Sequence, residues 1–224
     1  MLSSEEWEIV WLSLQVAVFC VVVTLPFALF FGWLLARCQF RGKLFLDGLC
    51  HLPLVLPPVV TGYILLLLFG RHGVFGSLLD FMGIQLAFNW KGAVLASAVV
   101  AFPLFLRSVR LGIEDIDPRL EQVARTLGAS PLRTFFDVTV RLAAPALSVG
   151  GLLAFARSLG EFGATITFVS NIAGQTRTIP TAIYSYLNQP GGDDSAMRLV
   201  LLSVVISFAA VIGSEWAARR YRRG

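Results

Sequence analysis

Long apolar runs interrupt this 224-residue chain, and several of them reach the length of about 20 residues at which a helix spans a bilayer. Hydrophobic residues make up 56% of the chain and charged residues only 14%, unlike a soluble domain. Acidic residues, rather than a basic segment, precede the first run, which is also too long for a signal peptide. We predict an all-α integral membrane protein with one permease domain over residues 1–224. The five predicted transmembrane helices cover residues 9–36, 49–69, 92–111, 142–159 and 199–218.

The basic residues are unevenly distributed. Thirteen of the 18 Lys and Arg residues lie in three clusters: the loop after the first run, residues 107–141, and the C-terminus. Positively charged loops favour the cytoplasmic side. Five spans with the N-terminus outside and the C-terminus in the cytoplasm satisfy this bias. The basic balance therefore indicates topology in a lipid membrane, and we predict no nucleic-acid partner.

Between the third and fourth predicted spans lies a short amphipathic helix pattern, LEQVARTLG. Its apolar stripe is Leu120, Val123, Ala124 and Leu127, and its polar positions are Glu121, Gln122 and Arg125. Asp117 suits the N-cap, Pro118 suits the first helical position, and Gly128 can adopt the left-handed stop. A second helix start follows at Ser130. Residues 117–137 are therefore predicted to form a helix-turn-helix at the cytoplasmic surface, where a partner acting on the membrane part can dock.

Three prolines lie in the second predicted span, Pro53, Pro57 and Pro58, and Thr61 follows them. A proline inside a helix removes a backbone hydrogen bond and clashes with the previous turn. Irregular backbone at membrane depth is tolerated where it is buried in protein or lines a wet cavity. We predict a kinked helix that lines or gates a pathway, with a role in packing alone as the alternative.

The end of the fourth predicted span carries ionisable and hydroxyl groups. Arg157 and Glu161 are four residues apart, so they share a helix face and can pair. They indicate either pathway residues or a structural ion pair. Glycines on both sides of Glu161 predict that the helix ends or bends here. Backbone amides and the hydroxyls of Ser158 and Thr165 would then face outward, where such groups can bind an oxyanion.

The motifs of catalysis are absent from the sequence. There is no P-loop, no G-x-S-x-G and no H-E-x-x-H, and the cysteines and histidines show no metal-ligand spacing. We expect no catalytic residue, no metal and no cofactor on this chain. Five spans are also too few to enclose a polar pathway. A pore would need a second subunit, most simply a symmetric copy.

The helix-turn-helix resembles the cytoplasmic coupling loop of binding-protein-dependent ABC transporter permeases. The Glu-Ala-Ala and later Gly of that loop are matched here by Gln122, Val123, Ala124 and Gly128. Glutamine thus replaces the glutamate, with Glu121 just before it. The stretches HLPLVLPPVVTGY and ARSLGEFGATITFVSNIAGQTRTIPTAIY resemble the molybdate permeases within that family. Sulfate and tungstate permeases are similar to these.

The resemblance implies a type I importer permease in the bacterial inner (plasma) membrane, forming the pathway as a homodimer. It implies two cytoplasmic ATPase subunits, which bind the ATP and Mg, and a periplasmic molybdate-binding protein. The coupling helix, Leu120 to Gly128, would dock the ATPase. The function implied is molybdate import, with sulfate or tungstate as alternative substrates. An ion-coupled secondary transporter is the rival class, but it needs mid-span carboxylates, and we find only Glu215 near a span.

Overall fold

The computed structural model describes residues 3–222, with side chains for residues 3–213. Within residues 3–222 the regular structure is helical throughout, which confirms the predicted all-α class. The helices are α1 Ser4–Arg37, α2 Lys43–Val55, α3 Pro58–Phe69, α4 Gly76–Phe81, α5 Trp90–Glu114, α6 Pro118–Thr126, α7 Pro131–Thr134, α8 Ala144–Leu159, α9 Gly163–Val169, α10 Ile179–Leu187 and α11 Asp193–Arg222, with a π-helical turn at Phe135–Val140. The C-terminal basic cluster and Glu215 lie outside the described side chains.

Three helices are each long and apolar enough to cross a membrane: α1, α5 and the Asp193–Gly213 part of α11. Two bent pairs raise the number to five if each counts as one span. These pairs are α2 with α3, bent by 113°, and the Pro131–Val140 segment with α8, bent by 73°. The predicted number of five therefore stays a prediction. α1 begins earlier than predicted because Ser3 and Glu6 form a capping box.

The segment predicted as one kinked span over residues 49–69 is instead two helices, α2 and α3. Pro57 is the N-cap of α3 and Pro58 is its first residue, a position where the missing amide has no intrahelical partner to lose. Of the three prolines, Pro53 is the one inside a helix. The predicted kinked helix is therefore found as two helices that meet at Pro57, with α3 running in a new direction, and whether the pair forms one span stays a prediction.

The core is formed where α1, α5 and α8 pack together. Phe105 of α5 is buried there with Cys20 of α1 and Ala154 of α8. Small residues let these helices approach closely, as they do in membrane bundles. A Cβ added to Gly112 of α5 would lie 2.2 Å from the Cβ of Ala146 on α8. Helix backbones therefore meet with almost no space between them.

Ion pairs fix the N-terminal end of α1. The carboxylate of Glu6, 1% exposed as a residue, accepts hydrogen bonds from Arg198 Nε at 2.9 Å and Nη2 at 2.7 Å. Arg177 Nη1 lies 2.6 Å from Glu5 Oε1. Asn89, just before α5, lines a cavity with Glu5 at this same end. Between α1 and α5, the chain therefore runs from the C-terminal end of α1 back to its N-terminal end through α2 and α3.

Candidate functional site

The segment between α5 and α8 folds as predicted into a short helix, a turn and a second helix. The Asp117 side chain accepts a hydrogen bond from the backbone N–H of Arg119 at 2.9 Å, and Pro118 opens α6. Gly128 has a φ of +89°, the left-handed conformation that favours glycine. Ser130 caps α7 by accepting from the backbone N–H of Arg133 at 3.3 Å.

The second helix continues into a π-helical turn that the sequence analysis did not predict. Within it, Thr139 is 1% exposed. Its Oγ1 donates to Glu121 Oε1 at 2.8 Å. Phe135 of the same turn meets Trp33 of α1 edge to face, with ring centroids 6.1 Å apart. The turn therefore joins α6 to α1, although its run of aromatic and β-branched residues carries no clear sequence signal for π geometry.

The apolar stripe of α6 faces away from the rest of the described chain. Leu120 is 48% exposed, Val123 54% and Leu127 83%, while Ala124 is half-buried. Leu132 of α7 is also apolar and is 72% exposed. Several exposed apolar side chains on a polar segment indicate an interaction site. We call this set of five residues the coupling surface.

The polar side of α6 turns back towards the helices of its own chain. Glu121 Oε1 accepts from Arg37 Nε at 3.2 Å, in addition to the bond from Thr139. Arg37 Nη2 also donates to the carbonyl of Ile116 at 2.9 Å. Hydrogen bonds between charged groups are the stronger kind. α6 is thereby tied to the last turn of α1, and sequence reasoning missed Arg37 as the partner of Glu121.

A second place of interest is the connection from α8 to α9, where Glu161 lies. The Glu161 side chain is 1% exposed and its Oε2 lies 2.7 Å from Arg157 Nη1, so the predicted pairing is confirmed. Its Oε1 accepts from the backbone N–H of Ala164 at 2.8 Å, in the first turn of α9. The two paired residues do not share one helix, because α8 ends at Leu159. Glu161 therefore joins two helices across a break.

The two helices that follow breaks, α3 and α9, pack against each other. A Cβ on Gly163 would lie 2.8 Å from the Cβ of Pro58, and one on Gly62 would lie 2.6 Å from the carbonyl oxygen of Ala164. Thr61 is 5% exposed, and its hydroxyl has no hydrogen-bond partner among the described residues. The structure thus brings the Pro58–Thr61 region and the Glu161 region together. Neither residue spacing nor periodicity in the sequence indicated this contact.

The predicted outward-facing donors are not found at this break. Ser158 is 6% exposed and Thr165 1% exposed. The amide of Ala164 is already bonded to Glu161. The expectation was wrong because a carboxylate of the same chain caps the helix. Arg157, with its side chain 29% exposed, keeps a cation at the break, and its charge is shared with Glu161.

Pro53 belongs to a different surface from the other two prolines. It lines an apolar groove of about 370 Å³ with residues that include Phe27 of α1 and Phe102 of α5. The structure therefore separates the predicted gate residues into two groups. Pro57 and Pro58 lie at the break between α2 and α3, whereas Pro53 packs beside α1.

Residues 28–223 match the family model described as "Binding-protein-dependent transport system inner membrane component". The chain is 55% identical over 219 residues to the molybdenum transport system permease protein ModB of Escherichia coli, covering 97% of this chain and 96% of that one. It is 54% identical to ModB of Haemophilus influenzae over 95% of this chain and 93% of the relative. The chain is 36% identical to the sulfate transport system permease protein CysT of Salmonella typhimurium, over 82% of this chain and 67% of that protein.

Solved structures share the fold at low identity. A bacterial ABC transporter that imports the acidic polysaccharide alginate superimposes with a TM-score of 0.76 at 16% identity, covering 98% of this chain and 80% of that chain. An amino acid ABC transporter solved with histidines gives a TM-score of 0.64 at 18% identity, covering 96% of this chain and 94% of that chain. Both neighbours are ABC transporters, so the helical arrangement described above is a fold found in that class.

Proposed function

This chain belongs to the family of binding-protein-dependent transport system inner membrane components, and we propose that it is the permease subunit of an ATP-driven importer for molybdate. The observation that carries the proposal is the 55% identity to a molybdenum permease across nearly the whole length of both chains. The chain is a membrane permease component of a transport system rather than an enzyme.

Molybdate is favoured over sulfate because this chain is more similar in sequence to molybdenum permeases than to a sulfate permease. The two molybdenum permeases are 55% and 54% identical to this chain, and the sulfate permease is 36% identical. Sulfate, tungstate and molybdate are tetrahedral oxyanions of the same charge, so a direct competition is needed. Uptake of labelled molybdate would be measured with the ATPase and binding protein present and each unlabelled oxyanion in excess. We expect molybdate and tungstate to compete and sulfate to have little effect; strong competition by sulfate would overturn the assignment.

The partners follow from the same proposal. Two copies of this chain form the pathway, two cytoplasmic ATPase subunits carry ATP and Mg, and a periplasmic molybdate-binding protein delivers the substrate. A symmetric pair is the simplest way to surround a pathway with few spans. The exposed faces of α3, which include Val59, Tyr63 and Ile64, are apolar and suit either a second copy or lipid. Membrane lipid surrounds the pair.

We place the ATPase contact at the coupling surface defined above. Four of its five side chains are exposed, and all are apolar, at a segment that is otherwise polar and rich in arginine. Closure of the ATPases on ATP would draw the two copies of α6 together. The bonds from Glu121 to Arg37 and Thr139 would pass this movement to α1 and the π-helical turn. The membrane helices would then swing to open outward.

We place the substrate pathway between the two copies, beside the packed breaks of α3 and α9. The candidate residues are Pro57, Pro58, Thr61, Arg157, Ser158, Glu161 and Thr165. Arg157 supplies a partly exposed cation for an oxyanion, and Glu161 holds that cation in place. Because Ser158 and Thr165 are buried, any direct contact of these hydroxyls with substrate requires the break to open.

We propose that the N-terminus lies outside and the C-terminus lies in the cytoplasm of a bacterial inner membrane. The arginine-rich segment with α6 then faces the cytoplasm, in agreement with the bias of positive charge. The position of Asn89 beside Glu5 supports a crossing by α2 and α3 together, because α5 starts at the same end as α1.

A further inference from the structure

A cavity of about 740 Å³ lies between the C-terminal half of α1, the coupling helix α6 and the segment from α7 through the π-helical turn. One wall is apolar and is formed by Leu29, Phe30 and Trp33 of α1 with Phe135. The polar part of the lining includes Arg37, Gln122 and Arg125 together with Glu121, whose carboxylate is paired with Arg37. Volumes of several hundred cubic ångströms with an apolar lining and a few polar groups are typical of ligand sites.

The apolar wall belongs to α1, a helix long and apolar enough to cross a membrane. The residues of α1 that line the cavity run from Pro26 to Arg37, a rise of about 16 Å along a helix. This stretch ends where an aromatic residue, Trp33, precedes a basic one, Arg37. Such an order is typical of the boundary between the hydrocarbon and the headgroups. The cavity therefore extends from acyl-chain depth to headgroup depth.

The polar part of the lining carries positive charge that is not fully neutralised within the chain. The side chain of Arg125 has no ion pair or hydrogen bond among the described residues, and the same holds for Gln122. Arg37 uses Nε and Nη2 for Glu121 and Ile116 and has one nitrogen left. Thr134 also lines the cavity, but its hydroxyl is enclosed by protein and has no partner among the described residues. Arg125, Gln122 and the remaining nitrogen of Arg37 are therefore the donors without an acceptor in the described part of the chain.

We propose that this cavity binds one anionic phospholipid, with an acyl chain along Leu29, Phe30 and Trp33 and the phosphate beside Arg125 and Gln122. Basic pockets between helices on the cytoplasmic side are known to hold anionic headgroups. The proposed orientation puts the polar part of the lining at the cytoplasmic leaflet, but the site does not depend on which oxyanion is transported. The lipid contacts both α1 and α6, so it supports the same joint that Glu121 holds. Loss of the lipid should weaken coupling between ATP hydrolysis and transport.

The test is native mass spectrometry of the purified transporter, permease with its ATPase subunits, in equal amounts of phosphatidylglycerol and phosphatidylethanolamine. We expect wild type to retain phosphatidylglycerol preferentially, at one molecule per permease copy. Arg125→Gln should lower that retention about fivefold, the effect of one basic residue at an anionic lipid. Arg119→Gln is the matched control, because it removes the same charge from the same helix without lining the cavity.

A second variant tests the apolar wall without touching charge. Leu29→Trp fills the cavity and should also lower retention, and both variants are compared only as intact transporters by size exclusion. Equal retention in Arg125→Gln and Arg119→Gln, or no preference for the anionic lipid, would overturn the proposal. If the permease dimer alone retains phosphatidylglycerol but loses it when the ATPase binds, the ATPase fills the cavity. That result would also overturn the proposal. None of these outcomes depends on molybdate uptake, so they are separate from the test of the proposed function.

Discussion

Glu121 shows how one side chain determines what a short surface helix can transmit. Its carboxylate holds α6 to Arg37 at 3.2 Å and to Thr139 at 2.8 Å, and the side chains of Arg37 and Glu121 are 14% and 18% exposed. Hydrogen bonds to a charged group in such a partly buried setting are stronger than those at a free surface. The helix is therefore fixed on its polar side and free on its apolar side.

The substitution Glu121→Ala removes both bonds and should loosen α6 from α1. The expected cost is about 1 to 3 kcal/mol at this joint, from bonds to a charged acceptor. ATP hydrolysis should persist while molybdate uptake per ATP hydrolysed falls, with both rates measured per folded transporter. The control is Asp137→Ala, whose pair with Arg133 is exposed and contributes little. An unchanged ratio of uptake to hydrolysis in Glu121→Ala would contradict the coupling role.

The sequence could predict the faces of α6 but not their partners. Helical periodicity separates Leu120, Val123 and Leu127 from Glu121, and the structure confirms the separation. Helical periodicity cannot show that Glu121 meets Arg37, 84 positions earlier, because that contact is made by the packing of α1. The same limit applies to Glu161. Its spacing predicted Arg157 as a partner, but its cap on α9 depends on where α8 ends.

At the scale of helices, the break between α2 and α3 is the largest departure from the sequence-based expectation. Proline inside a helix and proline at the first turn of a new helix leave the same local signal. What decides between them is the packing of α3 on α9, where Gly163 admits Pro58. The sequence around the prolines alone cannot predict this contact with α9. The helix starts at Pro118 and Pro131 were predictable because capping residues precede each proline.

The double substitution Pro57→Ala and Pro58→Ala removes the restraint on backbone conformation that favours the break, while leaving every charged and hydrogen-bonding side chain in place. If the break helps to close the pathway, ATP hydrolysis should continue with less dependence on the binding protein, and molybdate uptake should drop. Pro53→Ala is the control, since Pro53 lies inside α2 and lines a separate groove. A proportional loss of hydrolysis and uptake in the double variant would assign these prolines to packing alone.

At the scale of the whole molecule, apolar run length and the distribution of basic residues were sufficient to predict a helical membrane protein. The number of crossings was harder to predict because α2 with α3, and the Pro131–Val140 segment with α8, are bent pairs. A bend of 113° suits either a broken span or a re-entrant loop. The assembly could not be read from one chain, since residues that meet a second copy are exposed apolar positions like those that meet lipid.

The proposed topology makes a prediction at this scale. A reporter that is active only outside the cytoplasm should be active when fused after Gly83 or Gly192 and silent after Gly42 or Gly128. The reason is that α2 and α3 together carry the chain to the end of α1 that holds Glu5. Silence at Gly83 would mean a re-entrant pair, and activity at Gly128 would place the coupling helix on the side away from ATP.

The energy source of transport distinguishes an ATP-driven importer from an ion-coupled carrier. Proteoliposomes containing this permease, reconstituted with its ATPase subunits so that the ATP sites face outward, would carry the molybdate-binding protein inside. Labelled molybdate enclosed with that protein should leave the vesicles when ATP and Mg are added outside, at a rate that depends on the binding protein. A proton gradient without ATP should drive no movement. Molybdate movement that follows the proton gradient and does not depend on ATP would contradict the ATP-driven mechanism, because the chain would then be an ion-coupled carrier.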